Sequence, residues 1–287
     1  MTADYALLDV GGGARLERFG DRVTDRPHPG ALGARREPEA WRAADLRFDR
    51  DRGWTGAPPA LAPWSIAIDD LTLELKATDA GQVGLFPEHA AMLPWLRGRV
   101  AARTGVRPGA GAGAESAPAV LHLFGYTGLA TLALVAAGAA VTHVDASRPT
   151  VAWARRNAER SALGDRPIRW IVDDAVAFAQ REVRRGRRYA GVVLDPPSYG
   201  HGPGTRAWRI DDDLPGLLQA TARLLEPDGF VLLTAHTAGL EADRLATVVG
   251  ASVGRPSAHV DAGDLDLTTP DGRRLELGAF ARSTGGA

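Results

Sequence analysis

At 287 residues the chain is long enough to bury a full core, and with no cysteine it uses neither disulfides, thiolate metal sites nor a cysteine nucleophile. Apolar residues make up 45% and charged residues 24%, a globular balance, and the formal net charge of −1 excludes a global field that draws the protein to nucleic acid or membrane. Lys76 is the only lysine, so arginine is the default cation of this chain and its abundance is not by itself a sign of function.

The first 87 residues read as β-rich. Tyr5 to Val10 and Arg15 to Phe19 flank Gly11-Gly12-Gly13, and Trp64 to Ile68 and Leu71 to Ala77 flank Asp69-Asp70; both pairs predict hairpins. Residues 26 to 63, rich in Pro, Gly and Arg, carry no assignable element. This domain, 1–87, is either a substrate-reading module or a lid on the core. The amino terminus has neither a basic start nor a long apolar run, so no secretion signal is predicted and a cytoplasmic location is the default.

Glu88 opens a helix to about Arg103 that Pro94 kinks or splits, and the low-complexity stretch Gly105 to Pro118 reads as a flexible surface connection. The uncharged run Pro118 to Val144 is better explained by two strands around a helix than by a membrane span, because a glycine turn interrupts it. From Val120 strands and helices alternate: strand 120–124, helix 128–137, strand 141–145, helix 148–161, strand 168–172, helix 175–185, strand 190–195, a loop, helix 212–225, strand 229–235 and helix 240–249. Asp264 to Thr269 and Leu275 to Arg282, joined by Pro270-Asp271-Gly272, then form a hairpin. The expected fold is α/β, a mostly parallel seven-stranded Rossmann-like sheet closed by an antiparallel hairpin, over residues 88–287.

In such a sheet, ligands bind at the carboxyl ends of the strands. The turn Gly125-Tyr126-Thr127-Gly128 follows the first strand and lets a ligand approach the backbone and the next helix start. Asp145 ends the second strand, with Ser147 placed to cap the following helix; a ribose diol and a surface acid favoured by the helix dipole are level readings of it. Asp173-Asp174 ends the third strand and suits an adenine amino group. The alternative is capping of the next helix, weighted toward Asp173. The fourth strand ends in DPPSYG. Two prolines remove two N–H donors and stiffen the chain, leaving Asp195 and the Pro196 carbonyl as acceptors that align a nitrogen for attack on an electrophilic methyl group. Pro197 completes the pair, and Tyr199 is positioned to stack on a planar ring. In the loop Gly200 to Arg209, His201, Arg206 and Trp208 are candidate substrate contacts, against the plainer reading of a glycine-rich loop with one anchoring tryptophan. Arg181 to Arg188 is a candidate phosphate contact, against the more common reading of such a helix end and loop as a solvated face. Histidines 89, 201 and 236 lack a metal-ligand spacing, so no metal site is expected.

Together LFGYTG, the Asp145 strand end, Asp173-Asp174 and DPPSYG resemble class I S-adenosylmethionine-dependent methyltransferases, and within them the branch of large-subunit ribosomal RNA base methylases. The resemblance covers about residues 80 to 283 and includes GQVGLFPEH. It implies S-adenosylmethionine as cofactor. Phe86 and Phe124 to Gly128 would contact it, the latter at its methionine end; Asp145, with Ala146 and Ser147, would take the ribose hydroxyls. Asp174, with Ala175, would take the adenine amino group, and Asp195 to Tyr199 the methyl acceptor. Relatives carry an acid or Asn six positions before Gly128, where this chain has His122. Branch members that methylate cytosine C5 have a cysteine after the fifth strand, where this chain reads Thr234-Ala235-His236-Thr237. Ring-carbon attack needs covalent activation, so a nitrogen acceptor on RNA, above all ribosomal RNA, is expected. A small-molecule or protein methyltransferase and an RNA-binding protein with a relict pocket are the alternatives. A nicotinamide enzyme is disfavoured because the turn lacks GxG. Oligomeric state is not encoded in these patterns.

Overall fold

A computed structural model describes residues 4–104, 117–201 and 207–285. Contacts divide it into two units: residues 1–91 with Asp266–Leu277, and Met92–Leu265 with Gly278–Ala287. No helix among the described residues is long and apolar enough to cross a membrane.

The first unit is built on a five-stranded sheet in sequence order: β1 (Tyr5–Gly11), β2 (Ala14–Phe19), β3 (Arg22–Pro27), β4 (Leu46–Asp49) and β5 (Gly53–Gly56). Gly12 and Gly13 turn β1 into β2 at φ 62° and 74°, as the glycine run predicts. The unassigned stretch 26–63 contains the short helices α1 (Pro38–Arg42) and α2 (Pro58–Leu61) as well as β4 and β5; these elements are too short to show periodicity in the sequence. β6 (Trp64–Ile68) and β7 (Leu71–Leu75) form the second hairpin.

Asp9, fully buried on β1, explains why the tip of the C-terminal hairpin belongs with this unit. Its carboxylate accepts bonds from Trp41 Nε1 (2.6 Å) and the backbone N–H groups of Arg36 and Glu37, and it pairs with Arg273. Burial alone raises the pKa of such an acid; the Trp41 and Arg273 bonds outweigh it and hold Asp9 at about 2.

The second unit opens with α3 (Leu93–Thr104), preceded by a 3-10 turn over Pro87–Met92. Pro94 therefore stands in the first turn of α3, where its missing N–H leaves no intrahelical bond unmade, and the helix is split from the preceding turn rather than kinked. Residues 105–116, the expected flexible connection, lie outside the described residues. The alternating region gives β8 (Ala119–Leu123), α4 (Leu129–Ala136), β9 (Ala140–Asp145), α5 (Arg148–Arg160), β10 (Ile168–Val172), α6 (Ala175–Arg184) and β11 (Tyr189–Leu194). The loop expected after β11 holds a small hairpin, β12 (Tyr199–His201) with β13 (Ala207–Arg209), before α7 (Ile210–Leu224). The chain ends with β14 (Leu225–Ala235), α8 (Ala242–Val253), β15 (Asp261–Thr268) and β16 (Arg274–Thr284).

These strands form one seven-stranded sheet in the order β10-β9-β8-β11-β14-β16-β15, with β10 to β14 parallel and β16 antiparallel to β14. The order reverses between β8 and β11, which opens a crevice at their carboxyl ends. α4 is apolar except for Thr131 and is buried at Leu129, Thr131, Leu132, Ala133, Leu134 and Val135, so it fits between the sheet and α3.

Candidate active site

Strand register brings the predicted acids into line. Leu123 of β8 stands opposite both Val144 of β9 and Leu194 of β11, and Leu194 opposite Leu233 of β14. The next residue on each strand is therefore Phe124, Asp145, Asp195 and Thr234, four side chains at one level of the carboxyl edge. At about 4.8 Å per strand, Asp145 and Asp195 lie roughly 10 Å apart across Phe124, on one crevice.

Backbone strain marks the turn between β8 and α4. Phe124 and Tyr126 take φ of 56° and 47°, rare for residues with side chains, and Gly128 takes 95°. Gly125 permits a close approach: a Cβ there would fall 2.4 Å from the His143 ring. The strained shape is held from three sides. Gly125 donates to the Val144 carbonyl (3.0 Å), Tyr126 N–H donates to Asp145 Oδ2 (3.0 Å), and Asn157 Nδ2 on α5 donates to the Thr127 carbonyl (2.9 Å). Asp145 Oδ1 accepts from Ser147 N–H (2.9 Å). Burial raises the Asp145 pKa and these two N–H groups oppose it. Each oxygen keeps lone-pair capacity for a further donor. Ser147 caps α5 by accepting from Thr150, and Ala146, between Asp145 and Ser147, is exposed.

The assignment of the third strand's acids is corrected. Asp174, not Asp173, is the cap: its Oδ1 accepts from Ala177 N–H (2.8 Å) at the start of α6, whose first residue is Ala175. Asp173 pairs with Arg181 instead. Asp174 Oδ2 has no bond among the described residues and remains available at the edge.

At the end of β11, Asp195 is half-buried and accepts from Thr234 Oγ1 at 2.6 Å, with His236 Nε2 at 3.6 Å. The sequence marks Thr234 to Thr237 only as the place where a cysteine is missing; register sets Thr234, near the end of β14, beside Asp195. Pro196 is buried and its carbonyl takes no bond among the described residues, whereas the Pro197 carbonyl accepts from Trp208 Nε1 (2.6 Å). Trp208 is accordingly corrected from substrate contact to brace: it is buried, and its ring packs on Phe124 with centroids 5.2 Å apart. Tyr199 is 55% exposed. His201 ends β12, Arg206 lies outside the described residues, and Phe86 belongs to the first unit, where its ring meets His89.

Beneath the turn lies a cluster the sequence did not foretell. His122 Nδ1 is 2.7 Å from Thr131 Oγ1, and Thr131 Oγ1 is 2.9 Å from His143 Nδ1, all three buried. One hydroxyl serving two ring nitrogens donates to one and accepts from the other. His122 thus faces α4 rather than the carboxyl edge. Burial, and then the neighbouring His122, push the His143 pKa well below its ordinary value, so it is neutral.

A cavity of about 610 Å³ lies at the other end of the sheet, where Leu225, Gly229, Ser283 and Gly285 line it. Glu226 is the one acid in its lining.

No family model matches the chain. A SAM-dependent methyltransferase structure from Agrobacterium tumefaciens is 32% identical over all of this chain and 92% of its own, with a TM-score of 0.89. The chain belongs to the S-adenosylmethionine-dependent methyltransferases. It is also 34% identical over 128 residues to the "Ribosomal RNA large subunit methyltransferase K/L" of Methylococcus capsulatus, and 29% identical over 129 residues to the "Ribosomal RNA large subunit methyltransferase K" of Neisseria meningitidis. Each match covers 44% of this chain; the chain spans 17% of the first relative and 36% of the second.

S-adenosylmethionine is the methyl donor of this family, and the donor set at the edge suits it. α4 starts without a side-chain cap or an acid in its first turn, so its N–H groups favour a ligand carboxylate. Asp145 and Asp174 offer acceptors for hydroxyl and amino hydrogens.

Proposed function

We propose that the protein transfers the methyl group of S-adenosylmethionine to a nitrogen of an RNA base, with ribosomal RNA as the substrate. The observation that carries this reading is the register alignment of Asp145, Phe124 and Asp195 around one crevice, with the stiff Asp-Pro-Pro segment on its acceptor side. On this reading Asp145 accepts from the ribose hydroxyls, Asp174 Oδ2 from the adenine amino group, and Phe124 to Gly128 enclose the methionine end. The bound sulfonium supplies an electrophilic methyl carbon. Asp195 and the Pro196 carbonyl accept the hydrogens of the incoming nitrogen and aim its lone pair at that carbon. Thr234 fixes the Asp195 carboxylate by hydrogen bonding, and Tyr199 stacks on the base. A nitrogen needs only this alignment, and a chain without cysteine has no thiolate to activate a ring carbon.

The relatives' names support the substrate class, and a ribosomal substrate implies action in the cytoplasm. The division into a substrate module over 1–87 and a catalytic domain over 88–287 is part of the same reading. The test is methyl-labelling of large-subunit ribosomal RNA in vitro, beside nucleoside mass spectra from cells with and without the gene. A methyl mark lost with the gene and restored by the protein is expected. No lost mark and no transfer would defeat the proposal.

A further inference from the structure

The chain is close to neutral, yet its charge is unevenly placed. Residues 146–190 hold eleven arginines against five acids, a local charge of +6, and the remainder of the chain carries −7. These residues form α5, β10 and α6, the free edge of the seven-stranded sheet, where β10 is the terminal strand. Adjacent residues of a strand point to opposite faces. Trp170 of β10 meets Arg155 of α5, and Arg169 meets Phe178 of α6, so the two helices cover opposite faces and arginines wrap the edge from one to the other.

The acids in this region do not cancel the surplus. Asp173 pairs with Arg181, Glu182 with Arg185, and Asp174 caps α6. Arg148, Arg155, Arg166, Arg184 and Arg187 are exposed and form no ion pair with a carboxylate among the described residues, and Arg169 is exposed beside Glu182. A cationic helix face on a membrane would lie on one plane with apolar residues beside it; here the charge follows a curved rim. Guanidinium groups on such a rim match successive phosphates of a nucleic-acid backbone. β10 is three strands from β11, about 14 Å at ordinary strand spacing, so a chain held along the rim reaches the Asp195 crevice within a few nucleotides.

We infer that the α5–β10–α6 rim is a phosphate-binding track for the RNA substrate, feeding the methyl-acceptor crevice from the adenine side of the cofactor. This deepens the proposed function and rests on it.

The test compares the full-length protein with Arg166→Gln/Arg184→Gln/Arg187→Gln and with a control triple on the first unit, Arg42→Gln/Arg50→Gln/Arg52→Gln. Binding to deproteinised large-subunit ribosomal RNA is titrated from 50 to 200 mM salt, and S-adenosylhomocysteine affinity and melting temperature are recorded alongside. The rim triple is expected to bind RNA about tenfold more weakly. Its slope of log affinity against log salt should fall by about 2 to 3, cofactor affinity staying unchanged. Should the triple fail to fold, Arg184→Gln and Arg187→Gln alone should each lower the slope by about 1. Wild-type binding in the rim triple, or an equal loss in the control triple, overturns the track; if RNA is still methylated, the proposed reaction stands without it. A wild-type protein that neither binds nor methylates RNA overturns both.

Discussion

Tyr126 gives its backbone N–H to the Asp145 carboxylate across 3.0 Å, which ties the strained turn after the first strand of the sheet to the acid that ends the second. On the proposed reading one side chain has two tasks: it holds the turn after the first strand, and it offers its outer lone pairs to a ribose.

Asp145→Ala should remove both. S-adenosylhomocysteine binding, measured by calorimetry, is expected to weaken at least tenfold, in line with about 1.5–3 kcal/mol for a hydrogen bond to a charged group. Equal affinity in the variant and wild type would contradict the assignment.

Asp195→Ala should behave in the opposite way, sparing cofactor affinity and abolishing methyl transfer. Thr234→Val, which takes away only the 2.6 Å bond that orients Asp195, should lower kcat by about 1 kcal/mol in activation free energy, roughly fivefold, with little change in KM for the cofactor. Single-turnover transfer measures both.

Gly125 and His143 should be coupled. A Cβ at 125 would sit 2.4 Å from the imidazole, so Gly125→Ala is expected to destabilise the protein by about 1–3 kcal/mol. His143→Ala makes room, and the double variant should recover part of that loss. Additive losses in urea denaturation would show that the two residues do not press on each other.

Stability should fall on mild acidification, and His143 should be a main cause. Its native pKa lies well below 6.5 and its unfolded value near 6.5. Below that value the unfolded chain binds a proton that the native protein refuses, so unfolding is favoured; the stability is fully present above about pH 7 and is lost as pH drops through 6.5. The limiting slope is about 1.4 kcal/mol per pH unit. Urea midpoints from pH 7.5 to 5.5 should show this slope in wild type and a flatter profile in His143→Asn.

Trp208→Ala should cost about 3–5 kcal/mol, because it deletes a buried ring packed on Phe124 and leaves the Pro197 carbonyl without its donor. Trp208→Phe, which keeps the ring contact, should cost less in the same thermal melts.

The alternating pattern from Val120 to Arg282 determined the sheet, and the glycine turn and three acids marked its functional edge, because strand periodicity, turn residues and strand-end position are local properties of the chain. Covalent order likewise gave the Asp-Pro-Pro stiffness without reference to any fold. Tertiary structure alone decided which groups share a neighbour. Trp208 became a brace on Phe124, Thr234 and His236 came beside Asp195, and His122 turned inward to share Thr131 with His143. Residues nine to eighty-four positions apart met through strand register and through the helix and hairpin packed against the sheet, and spacing in the sequence carries no record of that pairing. The short elements of residues 26–63 and the choice of Asp174 over Asp173 as cap were settled by the fold for a related reason: one turn of helix or four residues of strand is fixed by its contacts, not by its composition.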